Sequence, residues 1–144
     1  RCGTRGLGRR SSARGTLRGL AEGGPVGILI DQRGRDDVGA PVPYFGHPTP
    51  THPILARMVR RTAAPVVPLF AVSQAPGRYR VLFEEPIELA SIPESERDDV
   101  ALTSRFTAVV EDVVRRYPEQ WLWYHDRWRA LRLARQGPPT GQGF

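Results

Sequence analysis

The stretch Val26–Ile30, VGILI, constrains this chain most: five residues without a polar side chain, opened by Pro25 and closed by Asp31. A short continuous apolar run of this kind reads as a strand buried on both faces, the habit of a parallel sheet covered by helices. A second run, Pro65–Val72 (PVVPLFAV), has the same character. Between the two, Ile54, Leu55, Met58 and Val59 recur at helical spacing, with Arg57, Arg60 and Arg61 on the opposite side. Strand, loop, helix and strand predict a right-handed βαβ unit, and with it an α/β fold with a partly parallel sheet and flanking helices.

Residues 31–53, DQRGRDDVGAPVPYFGHPTPTHP, hold five prolines and three glycines and predict a long loop without a regular element. Loops of that length inside compact domains are often functional, and this one leaves the carboxyl end of a buried strand, where open α/β sheets place ligands. Asp31 is therefore a candidate acid that could orient a base or bind a hydroxyl, and Tyr44 and Phe45 are candidates for lining an acyl pocket. From the residues alone, a plain turn-capping role for Asp31 stays open.

The rest of the chain reads more simply. Thr16–Glu22 predicts a short helix closed by Gly23-Gly24-Pro25. Arg78–Glu84, RYRVLFE, alternates as an antiparallel hairpin partner at a sheet edge. Asp98 or Asp99 caps a helix whose residues Phe106, Val109, Val110, Val113, Val114 and Tyr117 share one face. Pro118 then opens a terminal helix carrying PEQWLWYHDRWR, with Trp121, Tyr124, His125 and Trp128 on one side and Asp126 and Arg127 pointing elsewhere. Packing is the first role expected of that aromatic face, and a lipid head-group contact fits its outer side.

At 144 residues there is room for one domain, expected over residues 1–136, with 137–144 (GPPTGQGF) as a disordered tail. Cys2 is the single cysteine, and His47, His52 and His125 lack partners at metal-ligand spacing, so neither a disulfide framework nor a metal or other cofactor is expected. All 21 basic residues are arginine against 15 acidic ones, a net charge of +6. That balance fits an anionic partner, whether nucleic acid, lipid head groups or an acidic protein, and equally fits the coding bias of a GC-rich genome. A nucleic-acid module would need aromatics exposed beside basic residues, whereas here they sit at core-like spacing, so no nucleic acid is expected.

The ordered blocks GILIDQ, VPYFG, THPILARMVRRTAAPVVPLF, GRYRVLFEEPIEL and VVEDVVRRYPEQWLWYHDRW resemble the C-terminal half of the lipid A biosynthesis acyltransferases, the bacterial lauroyl and myristoyl transferase family. The resemblance implies a glycerophospholipid-acyltransferase-like fold, incomplete at its N-terminus. It implies an O-acyltransferase on the cytoplasmic face of the cell inner membrane, moving a fatty acyl chain from acyl carrier protein to a hydroxyl of a lipid A precursor. Another glycolipid acceptor, such as a phosphatidylinositol mannoside, fits the same fold.

Such enzymes use His-x-x-x-x-Asp/Glu, in which the histidine deprotonates the acceptor hydroxyl. Here His47 is followed five residues on by His52, His52 by Arg57, and His125 by Ala130. The family's pair lies upstream of the DQ block, so it is expected before residue 1 and the chain alone is expected to be inactive. By resemblance Asp31 is a supporting acid, and Arg5 is the first choice among Arg1, Arg5, Arg9, Arg10 and Arg14 for holding the acceptor's phosphate. Asp126 departs from the family, which usually has arginine there.

Overall fold

The computed structural model describes residues 12–35, 37–129 and 132. Its first element, α1 (Ser12–Ala21), stops at Gly23, whose φ of 74° is the left-handed conformation glycine adopts without a steric penalty. The Gly24 N–H then reaches back to the Gly19 carbonyl at 2.9 Å.

Helix α2 (Ile54–Thr62) turns Ala56, Met58 and Val59 inward. Helix α3 (Asp99–Arg116) is the longest element, and its start is set by Asp98, whose carboxylate accepts the Val100 and Ala101 N–H groups at 2.7 and 2.8 Å. The apolar spacing of α3 does what its sequence predicts: Phe106, Val110, Val113 and Val114 are buried, joined by Leu102. Ala56 and Val59 of α2 meet Leu102 and Phe106 of α3 in one core, closed by Ile92. Arg57 and Arg60 both reach the Asp99 carboxylate, at 2.9 and 2.5 Å. The Arg57 hydrogen bond, more than any other influence, holds that carboxyl below its ordinary value.

The sheet departs from expectation. Val26–Ile30 is extended, but no ladder pairs it among the described residues, and it buries one face rather than two: Val26, Ile28 and Ile30 are half-buried while Leu29 is exposed. The second run enters its strand late, because Pro65 and Pro68 carry no N–H for a ladder. The strand is β3 (Leu69–Ala75), paired antiparallel with β4 (Arg78–Phe83) across a Pro76-Gly77 turn. The described residues thus form two separate antiparallel hairpins and three helices, a mixed α/β chain in which no parallel sheet or βαβ unit is formed. The expected hairpin partner at Arg78 is present, and an isolated Val66–Ile87 bridge prolongs its pairing.

The expected loop also contains structure. Residues Ala40–Tyr44 (β1) and His47–Thr51 (β2) form a hairpin, with Pro41 opposite Pro50 and Pro43 opposite Pro48. Prolines two apart on each strand fall on the alternate pairs of an antiparallel ladder whose backbone groups point outward, so no ladder bond is lost. The Pro50 carbonyl does point outward, accepting the Gly34 N–H at 2.7 Å.

Residues 121–128 of the terminal segment are not a helix. After a 3-10 turn at Pro118–Gln120 the chain proceeds through turns, with the His125 N–H on the Leu122 carbonyl and the Arg127 N–H on the His125 carbonyl. Arg127 and Trp128 are adjacent in sequence and both engage the interior, which a single inward helix face cannot arrange. Arg127, expected to point away, is fully buried, and Tyr124, expected on the packed face, is 96% exposed.

Candidate functional site

Asp31 stands where the extended segment meets the β1–β2 hairpin. The loop after it lies flat on β2 because Gly34 has no side chain: a Cβ there would sit 2.8 Å from the His52 nitrogen. That close approach brings residues 31–35 under the terminal segment.

Five contacts from the terminal segment converge on this corner. The Arg127 guanidinium donates through Nη1 to the Asp31 carbonyl and through Nη2 to Thr51 Oγ1 at 3.1 Å. It also lies 4.3 Å from the centre of the Tyr44 ring, a cation–π contact made where no water competes. His125 Nε2 accepts the Arg33 N–H at 3.1 Å, so the neutral ring carries its proton on Nδ1. Trp128 Nε1 donates to the Tyr44 carbonyl at 3.3 Å.

The hairpin turn is fixed from the other side. Phe45 and Gly46 have φ of 50° and 74°, the pair of positive values that a type I′ turn requires. Phenylalanine is strained there, and α3 holds it: Glu111 Oε2 accepts the Phe45 N–H at 2.6 Å, and Arg115, paired with Glu111 at 2.6 Å, lies over its ring. Tyr44 packs edge-on to Phe45 at 4.9 Å and stacks on Trp128 at 5.6 Å. Trp128 in turn stacks on Trp123.

Burial shapes the charges. It pushes the Tyr44 hydroxyl up to about 12, against the lowering influence of Arg127. It pulls Arg127 down from its ordinary value, an effect that the charges of Tyr44 and Asp31 oppose. Buried polar atoms that form no hydrogen bond include Asp31 Oδ1, Tyr44 Oη and Arg127 Nε here, and Thr107 Oγ1 and Trp121 Nε1 elsewhere. Such atoms are costly in an interior.

Asp31 also lines an apolar groove of about 1500 Å³. Its walls are the two extended runs, represented by Ile28, Ile30 and Val66, and its floor is α2 and α3, represented by Met58 and Val110. Trp121 borders the groove as well. Ligand clefts of ordinary size run to about 1,000 Å³, so a long unbranched chain is within its capacity.

The structure therefore brings Asp31, Tyr44 and Phe45 into one neighbourhood. Tyr44 and Phe45 pack behind Asp31 and are not among the groove's lining residues. Arg5 and the expected tail 137–144 lie outside the described residues, as do Arg1, Arg9 and Arg10. Sequence reasoning missed Arg127, Thr51 and Glu111. No local pattern marked Arg127, whose partners Thr51 and Asp31 are 76 and 96 residues away in the chain. No group of His, Cys, Asp or Glu among the described residues is placed to hold a metal ion. No helix among them is long and apolar enough to cross a membrane.

Fold and site together define a mixed α/β protein in which a partly unsatisfied polar cluster, centred on one acid, borders a long apolar groove. Residues 1–130 match the family model described as bacterial lipid A biosynthesis acyltransferase, and the chain belongs to that family. No curated protein matches the chain.

Proposed function

We propose that this chain supplies the supporting acid and the acyl-chain groove of an O-acyltransferase that acts on a lipid A precursor. The observation that carries the reading is the position of Asp31, a carboxylate with an uncommitted oxygen on the wall of an apolar groove. The fatty acyl chain lies along the groove, each buried methylene contributing about 0.8 kcal/mol. Its thioester carbon is then presented beside Asp31.

In the reaction the acceptor hydroxyl oxygen bonds to the thioester carbon, the carbon–sulfur bond breaks, and the proton lost by the hydroxyl ends on the departing thiol of acyl carrier protein. The base for that proton is not one of the three histidines of these 144 residues, none of which has a carboxylate five positions on. The chain's own share is to orient the hydroxyl or the base through Asp31 and to seat the acyl chain. Family membership supports transferase chemistry on acyl donors and lipid acceptors. The cytoplasmic face of the inner membrane follows as the place where such an acceptor is met, and Arg5 is assigned to the acceptor's phosphate.

Lipid mass spectrometry of a strain lacking the gene tests the reading. Loss of one acyl chain from lipid A is the expected result. Loss from a different glycolipid would move the acceptor to that lipid, and an unchanged lipid profile would overturn the acyltransferase assignment.

A further inference from the structure

We infer that Arg127 is a positioning residue for Asp31, a role that rests on the acyltransferase reading above. A fully buried guanidinium is an expensive way to fill space, and an apolar side chain of similar volume is often as stable or more so. Arg127 forms no ion pair with a carboxylate among the described residues; its two directed bonds go to the Asp31 carbonyl and the Thr51 hydroxyl. Those bonds tie the start of the 31–35 loop to the end of β2, while the Tyr44 ring fixes the plane of the fork.

The division of labour at Asp31 gives the tie its meaning. The carbonyl of Asp31 takes the structural bond, and the carboxylate is left free of one, with Oδ1 buried and uncommitted. Arg127 therefore fixes where the carboxylate points without consuming it. A planar fork can bridge two acceptors in fixed directions, which the single ammonium of lysine cannot reproduce. His125 and Trp128 secure the same corner from adjacent positions, so rotation of the Asp31 backbone is opposed at Arg33 and Tyr44 as well.

A double-mutant cycle on the enzyme expressed from its complete reading frame separates positioning from stability. Arg127→Lys is expected to lower kcat by about 10-fold to 100-fold, the usual effect of a reacting group held slightly out of place. KM for donor and acceptor should stay within about twofold, since neither substrate touches Arg127 in this reading. In an Asp31→Asn background the same change should cost less than about twofold, because there is no carboxylate left to aim. Thr51→Val, which removes one of the two acceptors and little volume, should show the same pattern at smaller amplitude, and it stands in if Arg127→Lys does not fold. An equal cost of Arg127→Lys in both backgrounds would assign Arg127 to general stability and overturn the proposal, as would an unchanged kcat. If Asp31→Asn alone leaves kcat intact, the assignment of Asp31 itself fails, an outcome distinct from the other two.

Discussion

The α2–α3 core and the Arg127 corner are neighbours that share Ile30, and they are built on opposite terms. In the first, Ala56, Val59, Leu102 and Phe106 interlock, and Asp98 satisfies the exposed N–H groups of the helix start. In the second, a guanidinium and a phenol are buried and a carboxylate is half-buried, each with an atom that forms no hydrogen bond, and Phe45 is held at a φ that favours glycine. Maximum stability would replace most of the second region with aliphatic side chains. The strained and unsatisfied groups of the second region stand beside the groove, where the proposed acyl transfer places the chemistry.

The comparison can be broken by measuring both regions. Phe106→Ala should have the largest effect, a loss of about 3–5 kcal/mol in urea unfolding, because a rigid core cannot close over the missing ring. Gly34→Ala follows, costing about 1–3 kcal/mol as the new Cβ meets backbone at His52 rather than a movable side chain. A smaller loss at Gly34 would mean that the 31–35 loop is less tightly held than the corner requires. Asp98→Ala should cost about 1 kcal/mol through the lost helix cap, read as a lower unfolding midpoint at constant slope.

Tyr44→Phe should change stability least at neutral pH, within about 1 kcal/mol, since the lost hydroxyl has no hydrogen-bond partner. Its signature lies in alkali. The hydroxyl titrates near 12 in the folded protein against 10.0 ordinarily, so the fold prefers the protonated form. Its contribution is full below the unfolded value and is lost as pH rises through the folded one. Between those two values the parent should lose stability that the Phe variant keeps; equal curves would show that Tyr44 is not buried as described.

The two regions also differ in how far the sequence discloses them. The start of α3, its buried face and the arginine-lined outer side of α2 follow from spacing and capping chemistry, which act within a few residues. The β3–β4 hairpin was visible in the alternation of RYRVLFE. The β1–β2 hairpin was hidden because five prolines argue against a ladder unless their register is known, and the register depends on which strand opposes them. Val26–Ile30 reads as a central strand by composition, yet pairing requires a neighbour, and none of the described residues supplies one. At the site, Asp31 was marked by its place after the apolar run, whereas the burial of Arg127 arises from contacts 76 and 96 residues away that no local pattern encodes.

The central claim is that Asp31 takes part in acyl transfer rather than in holding the loop. Its most direct test is steady-state transfer of a fatty acyl group from acyl carrier protein to a lipid A precursor by the enzyme from its complete reading frame, comparing the parent with Asp31→Asn. Since the Asp31 carbonyl makes the structural bond, Asn keeps that bond, and kcat is expected to fall by about 100-fold or more in a protein that still folds, its melting temperature lowered only by the lost charge near Arg127. Parent-like kcat in a folded Asp31→Asn enzyme would contradict the account.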